Sequence, residues 1–188
     1  MRCSVILILS FATSLISSSA ADWPCWRGPD GLGVSHETGL PVAWANDQNI
    51  AWKIEIPGKG ASSPIVVGER VYLTAQTEDQ GLHVLAIDRA SGRPAWDREI
   101  GRGRLRANGL HNMATPTPVS DGTYVWAIFG TGDLACLERS GTPVWHCSLV
   151  KEYGEYKTNH GYGPPRCLMT ENSSSSACTR DEIVPRYG

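Results

Sequence analysis

The sequence predicts an all-β fold made of repeated four-stranded antiparallel units, and three observations carry that prediction. The stretch over residues 62–100 is echoed over 115–149, with Pro64 matched by Pro118, Gly68 by Gly122 and Val71 by Val125, each pair 54 positions apart. Each copy holds four short runs rich in Val, Ile, Leu, Tyr and Trp, separated by Gly-Glu, Asp-Gly or Ser-Gly turns. Nowhere within 62–149 does an apolar pattern keep a 3.6-residue period for three turns. Self-similarity of this kind marks stacked or radial units that cannot bury their apolar faces alone. Four short strands in about 40–50 residues is the arithmetic of a propeller blade, so the expected architecture is a partial β-propeller. It would hold two blades and an N-terminal closing segment.

The elements follow in order. Residues 1–21 read as a secretory signal peptide: one Arg, an apolar stretch from Val5 to Ile16, and a small-residue end at Ala20-Ala21. That apolar stretch is short and interrupted by serine, which argues against a membrane anchor, and no other segment reaches spanning length. Residues 22–61 form an N-terminal segment with one outer strand. Residues 62–114 form the first blade and a connecting loop, with strands expected at 64–67, 70–75, 82–88 and 94–100. Residues 115–163 form the second, with strands at 116–119, 123–129, 133–138 and 143–149. Residues 164–188 carry a four-serine tract and no alternation, which predicts disorder.

The last turn of each copy has a physical reading. In Ala86-Ile87-Asp88-Arg89-Ala90-Ser91-Gly92-Arg93-Pro94-Ala95-Trp96, Asp88 can accept from backbone amides across the turn and Gly92 can take positive φ. Trp96 can then lie flat between adjacent sheets. The second copy, aligned at Ala135, Glu138, Gly141 and Trp145, is one residue tighter. Here the chain resembles the PQQ-like (quinoprotein-like) β-propeller repeat family, whose repeat ends in A-x-D-x-x-x-G-x-x-x-W. Upstream, Asp22-Trp23-Pro24-Cys25-Trp26-Arg27-Gly28-Pro29 resembles the D-W-P-Q-W-R-G-P opening of secreted bacterial members, with Cys25 where glutamine is usual. Asn49-Ile50-Ala51-Trp52-Lys53 resembles the outer strand that follows it, and His160-Gly161-Tyr162-Gly163 resembles the lead-in to a third unit. The repeat pattern stops there, so the expectation is a truncated or frameshifted fragment of a longer propeller protein.

Charge and cysteines narrow the function. Without Arg2 the chain has 16 Lys and Arg against 19 Asp and Glu, which gives no bulk attraction to nucleic acid or anionic membranes. Arg98, Arg102, Arg104 and Arg106 cluster without interleaved aromatics, the pattern of a solvated loop between blades. Export would place the protein in the periplasm or outside the cell. Five cysteines follow the signal, an odd number; Cys136 and Cys147 flank the Ser140-Gly141 turn and are a candidate disulfide, the alternative being two buried thiols.

Chemistry-bearing patterns are sparse. The resemblance to PQQ-dependent dehydrogenases implies a quinone stacked on tryptophan against a disulfide of adjacent cysteines, with calcium and a catalytic aspartate. No Cys-Cys pair occurs, and Asp30-Gly31 and Asp121-Gly122 lack the other spaced oxygens of a calcium loop. The five histidines form no metal-ligating spacing, and Gly58-Lys59-Gly60-Ala61-Ser62-Ser63 lacks the leading glycine of a phosphate loop. His111, Asn112 and His160 precede successive inner strands and are candidate channel-facing residues; backbone capping is the plainer alternative. The leading expectation is a non-catalytic binding or scaffold module with no cofactor, taking a protein, peptide or carbohydrate ligand. The rival is a fragment of a PQQ- and calcium-dependent oxidoreductase.

Overall fold

The computed structural model describes residues 21–103 and 112–154. The signal segment 1–20, His111, Arg104, Arg106, His160, Cys167, Cys178 and the tail from 164 lie outside the described residues. Eight strands run in chain order: β1 Ile65–Val67, β2 Arg70–Gln76, β3 Gly81–Asp88, β4 Pro94–Arg102, β5 Val119–Ser120, β6 Tyr124–Ile128, β7 Asp133–Glu138 and β8 Pro143–Ser148. They form two four-stranded sheets, β1-β2-β3-β4 and β5-β6-β7-β8, antiparallel throughout. This is the all-β, partial-propeller architecture that the repeat predicts.

The two sheets repeat in register as well as in strand order. Ala86 pairs with Trp96 and Ile87 with Pro94, the ladder skipping Ala95. Cys136 pairs with Trp145 and Leu137 with Pro143, skipping Val144. Both outer hairpins therefore carry the same bulge, which raises local twist next to the tryptophan. This register corrects one alignment read from the sequence. Ala135 lies opposite His146, and Cys136 is the structural counterpart of Ala86. The missing residue of the second copy falls inside the turn, and Glu138 keeps the place of Asp88 and Val125 that of Val71, so of the aligned positions Ala135 is the one displaced.

Three elements differ from expectation. β5 is two residues long and begins only after Pro116 and Pro118, which have no N–H to give to a ladder. Residues 149–153 leave the strand as a short helix, α1 Leu149–Tyr153, ended by Gly154 at φ 85°. Residues 51–56 alternate as a strand should, with Trp52, Ile54 and Ile56 half-buried and Ala51, Lys53 and Glu55 exposed, yet they join no ladder. The expected outer strand is therefore extended chain.

Cohesion comes from the layer between the sheets. One cluster joins Leu82 and Val84 of the first unit to Ala127, Phe129 and Leu137 of the second, with Met113 and Ala114 of the connecting loop between them. A second joins Ile65, Val67, Tyr72 and Ala86 to Val125. Trp96 packs against both clusters, its ring 5.8 Å from that of Tyr72. The Tyr72 side chain is fully buried, and no described group bonds its hydroxyl. A buried hydroxyl without a partner costs free energy. Tyr72→Phe is expected to raise stability by about 1 kcal/mol, read as a higher urea midpoint at unchanged slope.

Candidate functional site: the junction between the two units

The tryptophans act by one geometric rule, applied twice. Trp52 lies over the turn of the first unit: its Nε1 donates to Arg89 O at 2.9 Å, and a Cβ on Gly92 would come within 2.5 Å of the indole. Trp96 lies over the turn of the second: its Nε1 donates to Arg139 O at 2.9 Å, and a Cβ on Gly141 would come within 2.7 Å. Gly92 and Gly141 have φ of 70° and 85°, so glycine is required here for both backbone angle and close approach. Each turn is closed from within. Asp88 accepts from Ser91 N at 2.9 Å and Ser91 Oγ at 2.7 Å, and pairs with Arg70 at 2.7 Å. The bonds from Ser91, then the Arg70 charge, hold the Asp88 carboxyl below its ordinary range. Glu138 does the same work more loosely, accepting from Ser140 Oγ at 3.0 Å.

The inner edges are tied by polar groups. Thr74 is fully buried, and its hydroxyl reaches the carbonyls of Ala114 and Pro116 at 3.2 and 3.3 Å. Gln76 accepts from Met113 N at 3.1 Å and donates to Gly103 O at 2.9 Å, while Gly130 N donates to Met113 O at 2.7 Å. Ser63 N donates to Thr117 Oγ1 at 3.0 Å. Asn112 caps its own loop, accepting from Ala114 N at 2.9 Å. Of the three candidate channel-facing residues, Asn112 is thus placed in the backbone-capping role, and the two histidines lie outside the described residues.

The Asp22–Gly28 motif completes the junction. Trp23 exchanges backbone bonds of 2.7 and 3.0 Å with Val66 of β1, Asp22 accepts from Gly68 N at 2.8 Å, and Pro24 O accepts from Ser120 N of β5 at 2.9 Å. One short segment thereby clasps the free inner edges of both units. Gly28, at φ 78°, packs against the Trp23 ring. Gly58 and Gly60 lie against the carbonyls of Gln76 and Thr74, so this glycine pair serves close approach of the chain to β2. Between residues 56–60 and β2 lies an open hollow of about 460 Å³, whose Ser62 and Thr74 already bond one another. Sequence reasoning missed these ties; the signal for one of them is Thr74, a polar side chain within the apolar run of β2.

Two expected features resolve differently. Cys136 and Cys147 are both thiols and are not bridged: they sit two register positions apart, opposite Trp145 and Leu134. The ladder closes with Leu137 opposite Pro143, three residues off the register that would pair the cysteines, and the bulge recovers only one of them. Burial, with a smaller contribution from Asp121, pushes the Cys136 thiol up to about 12. The folded value lies above the ordinary 9.0, so the stability held by the neutral thiol is present below about 9 and is lost as pH rises toward about 12. Cys136 is expected to resist iodoacetamide at pH 8 until urea unfolds the chain, a difference read by peptide mass spectrometry. The two described arginines of the cluster are occupied in structural bonds: Arg98 Nε donates to Gly141 O at 2.8 Å, and Arg102 pairs with Glu99 and Asp79 at 2.6 Å each. Those carboxylates hold Arg102 above its ordinary range.

The resemblance implies PQQ with calcium, and the described residues do not fit them. No group of three or more His, Cys, Asp or Glu converges among the described residues, and no two cysteines adjoin in the chain. Trp23, Trp52 and Trp96 are engaged in packing. No described helix is long and apolar enough to cross a membrane.

Comparison with known proteins agrees with the architecture. Residues 30–158, more than half of the chain, match the family described as outer membrane protein assembly factor BamB. No curated protein sequence matches the chain closely enough to count as a relative. Among solved structures, quinohemoprotein alcohol dehydrogenase from Comamonas testosteroni is similar at 22% identity and TM-score 0.54, over 72% of this chain and 20% of that one. BamB from Moraxella catarrhalis is similar at 20% identity and TM-score 0.38, over 52% of this chain and 26% of that one. The chain thus spans about a quarter or less of the length of these structures, and the likeness to the dehydrogenase is one of fold. With the repeated sheets, the paired turns and a match of that extent in hand, the chain belongs to the PQQ-like repeat family, the family of BamB.

Proposed function

We propose that this protein is an exported, non-catalytic binding module whose working surface is the N-terminal segment between the clasp and Trp52. One observation carries the reading. Trp26, Leu32, Val34, Leu40, Val42 and Trp44 are all more than half exposed, and Val42 is 96% exposed. Large apolar side chains exposed one after another along a single segment favour a contact surface. Beside it, the polar side chains of the junction are spent on holding the units together, which leaves them a structural role. The ligand that suits an irregular apolar strip is a protein or peptide, which can lay apolar side chains along it.

The test is photo-crosslinking in the producing cell, with the reactive group placed at Val42 or at Trp44. A discrete adduct at these positions, absent when the group is placed at exposed Glu69, supports the reading. Equal labelling at all three sinks it. Export is tested separately, by fusing residues 1–21 to a reporter that is active only outside the cytoplasm. Titration of the full chain with PQQ and calcium tests the rival oxidoreductase reading: a bound-quinone absorbance together with dye-linked alcohol oxidation would establish it.

A further inference from the structure

The exposed N-terminal strip carries charge of one sign as well as apolar side chains. Every residue from 29 to 50 is exposed, and the stretch holds Asp30, Glu37 and Asp47 with no Lys or Arg at all. The two cations that flank it are turned to other acceptors. Arg27 lies 5.5 Å from the centre of the Trp26 ring and donates to Leu32 O at 3.4 Å, while Lys53 donates to Asn46 Oδ1 at 2.9 Å. Among the described residues no ion pair engages the three carboxylates, and Glu37 accepts from Ala21 N at 2.6 Å. The strip is held at both ends, by the Trp23 clasp on β1 and by Trp52 over Gly92. A turn is closed near each end, by Gly33 N on Arg27 O at 2.7 Å and by Asn49 Nδ2 on Ala43 O at 2.9 Å.

We propose that the occupant of this strip is a cationic, apolar segment of a partner protein, which sets Lys or Arg beside Asp30, Glu37 and Asp47 and apolar side chains along the run from Leu32 to Trp44. This deepens the contact-surface reading above and rests on it. The carboxylates are interleaved with the apolar groups: Asp30 precedes Leu32, Glu37 precedes Leu40 and Trp44, and Asp47 precedes Ile50. A partner that covers the strip must therefore supply both kinds of group over the same length. A purely apolar partner would cover the carboxylates without compensating their charge. An anionic lipid surface or a nucleic-acid backbone would meet them with charge of the same sign. Opposite charge steers the encounter and rejects wrong partners, and the apolar contacts hold the complex once formed.

The test is fluorescence anisotropy of the full chain with three labelled synthetic peptides of equal length, alternating Leu with Lys, Leu with Glu, and Ser with Lys. The Leu–Lys peptide is expected to bind at least about tenfold more tightly than either of the others. Joint Asp30→Asn, Glu37→Gln and Asp47→Asn keeps the side-chain shapes and removes the charge. It is expected to weaken the Leu–Lys peptide about tenfold and to flatten the salt dependence of its binding. Joint Glu69→Gln, Glu78→Gln and Glu152→Gln removes equal charge from exposed positions off the strip and should leave the affinity at the parental value. Equal binding of the Leu–Glu peptide, or equal losses from the two triple variants, overturns the charge assignment and leaves the contact surface standing. Trp44→Ala reports on the surface itself and is expected to weaken both leucine-containing peptides. Parental affinity in Trp44→Ala, with the Ser–Lys peptide bound as tightly as the Leu–Lys one, sinks the contact-surface reading and this proposal with it.

Discussion

Trp96→Ala is expected to cost about 3 kcal/mol, the low end for truncating a buried aromatic because this indole is only half-buried. The measurement is urea unfolding followed by far-UV circular dichroism. The side chain touches both apolar clusters between the sheets, its Nε1 donates to Arg139 O, and its ring covers Gly141. Truncation therefore opens a gap between the two units and leaves a carbonyl unbonded at once. The partner position supplies an internal check. Gly141→Ala places a methyl 2.7 Å from the Trp96 ring on a backbone at φ 85°, so it carries a clash and a backbone strain together. In the Trp96→Ala background the clash disappears while the strain, about 1 kcal/mol, remains. A double-mutant cycle should then show a coupling of at least about 1 kcal/mol. Additive costs would mean that the ring and the glycine do not share one contact.

The turn in that contact is where the sequence was most legible. Gly92 and Gly141, four residues before Trp96 and Trp145, announce a turn of positive φ, which both adopt, but that an indole lies over each glycine was not read. Strand limits followed from Gly and Pro punctuation and differ from the observed ones mostly by a residue or two. What could not be read had backbone atoms as its partners. Arg89 and Arg139 accept the indole N–H through their carbonyls, so their side chains give no clue to the role. Trp23 clasps β1 through main-chain bonds in the same silent way. The displaced alignment at Ala135 has a different cause. A one-residue deletion within a turn can be placed anywhere between flanking strands until the ladder is seen, and the ladder puts Cys136 beneath Trp145. At β5 the expected strand, 116–119, meets the observed Val119–Ser120 at a single residue, because Pro116 and Pro118 have no N–H to give to a ladder.

Thr74→Val probes the other half of the junction, where polar groups rather than a ring join the units. The substitution keeps shape and volume while removing one hydroxyl from a fully buried site. That hydroxyl is shared between Ala114 O, which also accepts from Ala61 N at 3.3 Å, and Pro116 O, so its loss takes from Pro116 O the side-chain donor it faces. Leaving buried acceptors unsatisfied costs about 1–3 kcal/mol, and the middle of that range, about 2 kcal/mol, is the expected destabilisation. The loop should respond before the sheets do. Gln76 binds Met113 N from the same strand, and Gly130 N binds Met113 O from the other unit, so residues 113–116 are held from both sides. Hydrogen exchange at Met113 and Ala114 is therefore expected to quicken in Thr74→Val by more than exchange at β3 and β7 amides, which follows only the change in global stability. Thr74→Ser, which restores the hydroxyl and gives up a methyl, should recover the loop protection even if it does not recover the whole stability. If Thr74→Val unfolds at the parental urea midpoint and its loop exchanges at the parental rate, the hydroxyl is not what ties the second unit to the first.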